Sequence, residues 1–200
     1  MIIREAKLSD AKHFVRVFEL ASRGLAQHLW AIAAGPDGDV ASVAEERMRS
    51  KLKASDPNTV FVAEIDDRFV GSVMTYVVGD EPEDLDPTWD PAITALVELE
   101  NRALGTQYVN ALAVLPEFQR QGIGRALLRK VDEVSPVDQM SLTVEDLNVG
   151  AKSLYESEGY KLVTSWQITS GGWETEAKEY YLMLKEGSGA GFSSHERAAA

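Results

Sequence analysis

Tyr108-Val-Asn-Ala-Leu-Ala-Val-Leu115 runs directly into Pro116-Glu-Phe-Gln-Arg-Gln-Gly-Ile-Gly124, and the reading of this stretch decides the fold. The first part is nearly continuous in apolar residues over a strand's length, broken only by Asn110, as expected of a strand buried on both faces. The second part is a glycine-bearing turn. Arg125 to Val134 then carries Ala126, Leu127, Leu128 and Val131 at helical spacing. Met140 to Val144 reads as another short strand. A strand, a glycine loop, a helix and a second strand thus follow one another.

A turn that opens a helix is an anion site, because the first-turn amides have no intrahelical acceptors and carry the positive end of the helix dipole. Gly122 and Gly124, lacking Cβ, would let the backbone curl around a diphosphate. Arg120, Arg125, Arg129 and Lys130 stand against Glu117 alone, a basic island in a chain of net charge −12. A P-loop is excluded, since Gly124 is followed by Arg125-Ala126 and not by Lys-Ser/Thr. A dinucleotide fingerprint is excluded as well, because Leu127 stands where its third glycine belongs.

Outward from this unit the chain alternates in period. Ile2 to Lys7 reads as a strand, and Ser9-Asp10 as the N-cap of a helix carrying Phe14, Val15, Phe18 and Leu20. Ser42-Val-Ala-Glu45 resembles a capping box opening a helix to about Leu52, with a joining region that holds His28 and Trp30. Thr59 to Ile65 and Phe69 to Val77 form a hairpin about Asp66-Asp67. From Asp80 to Glu100 there are eight acidic residues and no basic one, with Pro82, Pro87 and Pro91 ahead of a helical stretch from Ala92 to Ala103. This segment reads as an excursion from the fold. Val149 to Ser157 is helical, and Tyr160 to Thr169 and Glu179 to Leu184 are final strands around Gly171-Gly172. The expected organisation is one domain over 1–184 and a disordered glycine- and serine-rich tail over 185–200.

Composition narrows the function classes. Cysteine is absent, which removes disulfides, thiolate nucleophiles and cysteine-ligated zinc. His13, His28 and His195 show no ligand spacing, so no metal is expected. A pI near 4.7 argues against nucleic-acid binding and favours cationic partners. No apolar run reaches the roughly 18 residues of a membrane span and no secretory leader is visible, so a cytoplasmic protein without a membrane partner is expected.

These residues resemble the GNAT acetyltransferase superfamily, whose acetyl-CoA signature, Gln/Arg-x-x-Gly-x-Gly/Ala, is matched by Gln119-Arg-Gln-Gly122-Ile-Gly124. A second family segment, an asparagine followed seven residues later by a tyrosine, appears as Asn148-Val-Gly-Ala-Lys-Ser-Leu-Tyr155. The resemblance spans Met1 to Leu184. It implies an α/β (α+β) fold with a mixed, mostly antiparallel sheet of about seven strands and about four flanking helices. It also implies an N-acetyltransferase that moves the acetyl group of acetyl-CoA to an amine by direct attack in a ternary complex.

By the same resemblance, the backbone of Leu112, Ala113 and Val114 would bind the pantetheine arm. Gln119, Arg120, Gln121, Gly122, Ile123, Gly124 and Arg125 would wrap the pyrophosphate, Asn148 would touch the pantetheine, and Tyr155 would protonate the sulfur. An amide N–H of Leu112 or Val114 would meet the oxyanion if the fourth strand splays from the fifth. Read without the resemblance, Tyr155 is a packed aromatic. The base is open: a strand glutamate used by some members corresponds to Tyr108, while Glu98, Glu100 and Glu145 are candidates by charge alone, each read first as a surface carboxylate. The acidic stretch with Trp30 and Trp89 reads as a solvated loop or as a cation-attracting mouth. The acceptor, a small-molecule or peptide amine, is undecided, and a homodimer is a family habit. The competing class is a non-catalytic acyl-CoA-binding sensor, against which Tyr155 argues.

Overall fold

The computed structural model describes residues 1–57, 59–169 and 171–186. Its strands are β1 (Ile2–Glu5), β2 (Val60–Ile65), β3 (Arg68–Val77), β4 (Gln107–Val114), β5 (Gln139–Glu145), β6 (Lys161–Gln167) and β7 (Glu179–Glu186). Its helices are α1 (Ala11–Ser22), α2 (Leu25–Ala34), α3 (Val40–Ala54), α4 (Pro91–Glu100), α5 (Ile123–Val134) and α6 (Val149–Ser157). The seven strands make one sheet in the order β1-β2-β3-β4-β5-β7-β6, antiparallel except for the pair β4/β5. Among the described residues no helix is long and apolar enough to cross a membrane.

The hairpin between β2 and β3 turns through Asp66 and Asp67 at φ 50° and 57°, the left-handed pair that matches the twist of the strands it joins. On one face, α5 buries Ile123, Leu127, Leu128 and Val131 against Val73, Val109 and Leu142. Each of those side chains contributes roughly 1.5–3 kcal/mol of burial. On the other face, Phe14 of α1, Trp30 of α2 and Met48 of α3 close over Val62 and Met74. A third cluster joins Leu99 of α4 to Trp173, Tyr180 and Leu182.

The helix count exceeds the expected four, and the capping differs. The joining region with His28 and Trp30 is itself the helix α2, and Trp30 is a core residue at 4% exposure, so it takes no part in a mouth for cations. Asp10 holds the N-cap position of α1, as expected, but its side chain makes no cap bond there; it ends a single 3₁₀ turn, accepts the Lys7 amide at 2.7 Å and pairs with Arg4 at 2.8 Å. Asp39, and not Ser42, caps α3: its Oδ1 accepts the Ala41 and Ser42 amides at 3.0 and 3.3 Å. The stretch 80–88 is exposed throughout, as a solvated loop would be. β7 runs two residues past the expected domain end, and the remainder of the expected tail lies outside the described residues.

The feature that positions the site is a bulge. Met74 pairs with Ala111 and Thr75 with Val109, which leaves Asn110 as the extra residue of β4. A bulge bends its strand. The parallel pairing of β4 with β5 ends at Val109 and Leu142, yet β4 stays on β3 to Val114 and β5 stays on β7 to Glu145. The two central strands therefore splay into a V.

Candidate active site

The V opens into a cavity of about 790 Å³, a volume typical of small-ligand sites. One wall is the free side of β4, from Asn110 to Val114, with Leu112, Ala113 and Val114 among its lining residues. Gln119, Arg120, Gly122, Ile123, Gly124 and Arg125 form the rim beyond it, and Asn148 and Tyr155 of the α6 segment face it. Gln121, of the expected set, is exposed and does not line the cavity.

The loop presents a run of free backbone donors. Arg120 and Gly122 both adopt left-handed backbone, at φ 63° and 81°. The first hydrogen bond of α5 runs from the Ala126 amide to the Gly122 carbonyl at 3.0 Å. The amides of Arg120, Gln121, Gly122, Ile123, Gly124 and Arg125 consequently have no acceptor among the described residues. Six unsatisfied donors at a helix N-terminus fit a diphosphate. Gly124 has a different task from Gly122: it lies within the first helical turn, where an added Cβ would meet Leu154 Cδ2 at 3.3 Å, so it serves the approach of α6.

Several of the expected side chains also make contacts within the fold. Gln119 Nε2 donates to the Val114 carbonyl at 3.1 Å, tying the loop back to β4. Arg125 and Arg129 are engaged by Glu158, at 2.6 and 2.8 Å from their Nε atoms, so much of the basic island is neutralised within the fold. Burial acts to raise the Glu158 pKa, but Arg129 and Arg125 outweigh it and hold the carboxylate below its usual range. Arg120 makes no ion pair among the described residues. Asn148 is the N-cap of α6, its Oδ1 accepting the Ala151 amide at 3.3 Å.

Tyr155 is 7% exposed, its ring 5.8 Å from that of Tyr160, and its hydroxyl has no hydrogen-bond partner among the described residues. Burial pushes its phenol up to about 12, so it keeps its proton at neutral pH. Tyr108, at the position of the family's strand glutamate, is buried and its hydroxyl makes a 2.7 Å hydrogen bond with Thr143 Oγ1 across the closed end of the V.

Two of the carboxylates first read as surface groups are not. Glu145 is 5% exposed and its Oε2 takes an ion pair from Arg23 Nε at 2.8 Å. Glu100, half-buried at the end of α4, accepts a hydrogen bond from the Tyr76 hydroxyl at 2.5 Å. Both line the cavity, and burial raises both above the usual carboxylate range, against Arg23 in one case and the Tyr76 hydrogen bond in the other. Glu98 is half-buried on α4 and does not line the cavity. Only the alternation along β5, which puts Glu145 on the same side as Thr143, hinted at this in the sequence.

The family model of the acetyltransferase (GNAT) domain matches residues 56–162, which include β4, the anion loop and α6. The chain belongs to the GNAT acetyltransferases. Among solved structures, the ribosomal-protein-S18-alanine N-acetyltransferase of Escherichia coli superposes with a TM-score of 0.58 at 21% identity, covering 95% of this chain and 96% of that one. The ribosomal-protein-alanine N-acetyltransferase of Brucella melitensis gives 0.59 at 18% identity, over 93% and 99%. Ard1 of Thermoplasma volcanium gives 0.58 at 14%, over 92% and 96%. At these identities the likeness is one of fold. No curated protein matches by sequence. The mixed seven-stranded sheet is thus the GNAT fold, and the bulged, splayed β4 belongs to a GNAT acetyltransferase.

Proposed function

We propose that this GNAT protein transfers the acetyl group of acetyl-CoA to a primary amine by direct attack while both are bound. The observation that carries the reading is the run of acceptor-less amides from Arg120 to Arg125, five of whose six residues line the cavity that Tyr155 also lines. Those amides, with Arg120, are suited to hold the pyrophosphate. The open side of β4 from Leu112 to Val114 offers backbone groups that β5 has released, which suits an amide-bearing arm. Acetyl-CoA, when bound, supplies an activated thioester.

The chain's own residues would then work as follows. A β4 amide beside the bulge meets the negative charge that develops on the acyl oxygen, a preorganised donor whose loss elsewhere costs roughly 10²–10³ in rate. Tyr155, neutral and unpartnered, gives its proton to the departing sulfur. The acceptor enters past Glu100, which lines the cavity and offers a cation a carboxylate that no basic side chain pairs among the described residues. Its small-molecule or peptide nature is left to experiment. The acidic charge also favours a function without nucleic-acid partners.

The test is calorimetry of the protein with acetyl-CoA, followed by release of free thiol in the presence of a panel of primary amines. Micromolar binding with amine-dependent thiol release is the expected outcome. Tight binding without release with any amine would leave an acyl-CoA sensor, and no binding would sink the anion-loop argument.

A further inference from the structure

An amine attacks only as its neutral form, while alkylammonium groups have pKa values near 10, so a proton must leave before the carbon–nitrogen bond can form. Two carboxylates line the acceptor end of the cavity, and their surroundings differ. Glu145 is bound to a cation, Arg23, which crosses from the α1–α2 junction to the end of β5. Glu100 is bound to a neutral donor: Tyr76 occupies its Oε2, and its Oε1 has no partner among the described residues.

Position separates them further. Tyr76 and Tyr108 form a cross-strand pair with ring centroids 5.4 Å apart, and Glu100 hangs over that pair from α4. Tyr108 precedes the bulge residue Asn110 by two positions, about 7 Å along the strand. Glu100, Tyr108 and Asn110 all line the cavity. The Tyr108 bond to Thr143 fixes this floor where the V closes.

We propose that Glu100, delivered from outside the sheet by α4, is the catalytic residue that takes the proton of the acceptor amine. The proposal rests on the transferase reading above. The ammonium docks against Glu100 and hands it one proton. The freed lone pair forms the carbon–nitrogen bond at the acyl carbon, the carbon–sulfur bond breaks, and Tyr155 protonates the sulfur. The nitrogen gives up two protons in all: one passes through Glu100 to solvent, and the second replaces the one that left Tyr155.

Four groups face Glu100: Tyr76 from β3, Tyr108 from β4, Lys51 from α3 and Glu83 from the acidic loop. Burial is the largest influence on it and raises its pKa; the Tyr76 hydrogen bond opposes, Glu83 adds, and Lys51 opposes. A carboxylate raised above its usual range has the greater proton affinity that a base for an ammonium needs. The inserted segment thereby gains a purpose, since its helix ends on this carboxylate.

The experiment measures kcat/KM against pH for the wild type, Glu100→Gln and Glu145→Gln, with amines whose conjugate acids span pKa values of about 6 to 10. In the wild type the rate should rise with pH along an acidic limb as Glu100 ionises. Glu100→Gln should lose that limb and fall about 10²- to 10³-fold with the most basic amines. With amines that arrive neutral it should come within a few-fold of wild type. Calorimetric acetyl-CoA affinity should be retained within twofold, which also certifies the fold, and Glu100→Asp should restore part of the limb.

A Glu100→Gln variant that keeps the limb, or one that loses rate equally with every amine, overturns the proposal while leaving the transferase reading intact. So does loss of the limb in Glu145→Gln instead. A wild type that binds acetyl-CoA yet releases no thiol with any amine overturns the transferase reading, and this assignment falls with it.

Discussion

Glu158, beside the glycine loop, and Glu100, on the lining of the cavity between β4 and β5, have been pushed in opposite directions. Glu158, beside the anion loop, is gripped by Arg125 and Arg129 and held below the usual carboxylate range. Glu100, at the acceptor end, has only a tyrosine hydroxyl on Oε2 and is raised by burial. The first end works through backbone donors whose direction is fixed by the start of a helix, with side-chain charge largely cancelled around them. The second works through side chains whose protonation is left adjustable. An anion that never titrates in use suits the first arrangement, and a nucleophile that must lose protons suits the second.

The contrast is broken most sharply at the point where the two ends meet. Tyr155→Phe removes the hydroxyl that faces the cavity without touching the ring packing against Tyr160. If Tyr155 protonates sulfur, kcat falls roughly 10²- to 10⁴-fold while acetyl-CoA affinity by calorimetry stays within about threefold. A kcat within threefold of wild type would return Tyr155 to the status of a packed aromatic and leave water as the acid.

The same division explains what the sequence disclosed. The strand, glycine loop and helix were legible because they are contiguous, all within Tyr108 to Val134. The acceptor end was not, because the burial of Glu100 depends on Tyr76 and that of Glu145 on Arg23, partners 24 and 122 positions away. Helix α2 escaped because Leu25 to Ala34 is almost uniformly apolar, with no periodic contrast, and opens on a left-handed Gly24 that offers no side-chain cap. The α3 cap was misplaced because Asp39 and Ser42 are both chemically competent, and only the backbone entry decides between them. The contacts of Gly124 with α6 and of Gln119 with β4 are of this kind too, since both depend on where those elements lie.

The two glycines of the loop sharpen the comparison at a smaller scale. Gly122 has φ 81° with nothing within 4 Å of an added Cβ, so Gly122→Ala meets backbone strain and no clash. A left-handed L-residue costs roughly 1–2 kcal/mol, and relief of that strain would turn the loop amides away. Acetyl-CoA affinity should fall by about tenfold, with a modest loss of thermal stability. Gly124→Ala meets the mobile end of Leu154 at 3.3 Å and ordinary helical backbone, so its affinity should change by less than about threefold. Equal losses in the two variants, measured side by side by calorimetry, would show that both act by bulk against the ligand and that backbone conformation is not the determinant.

The smallest effect tests the claim that charge is cancelled at the loop. Glu158→Gln releases Arg125 and Arg129, whose side chains are 46% and 66% exposed, so solvent screening keeps the contribution of each pair small. Because the folded carboxylate is depressed, its stabilisation is fully present above the unfolded value near 4.3 and is lost as pH falls through the folded one. The melting temperatures of wild type and variant should therefore differ by about 2–4 °C near pH 7 and converge in acid. The freed guanidiniums lie beside the anion loop, so acetyl-CoA affinity should rise about two- to fivefold at low salt, a gain that fades near 1 M as the Debye length shrinks to roughly 3 Å. A fall in affinity would reverse the argument: Glu158 would then hold Arg125 in place for the anion, and the loop would depend on an aimed side-chain charge as much as on its six free amides.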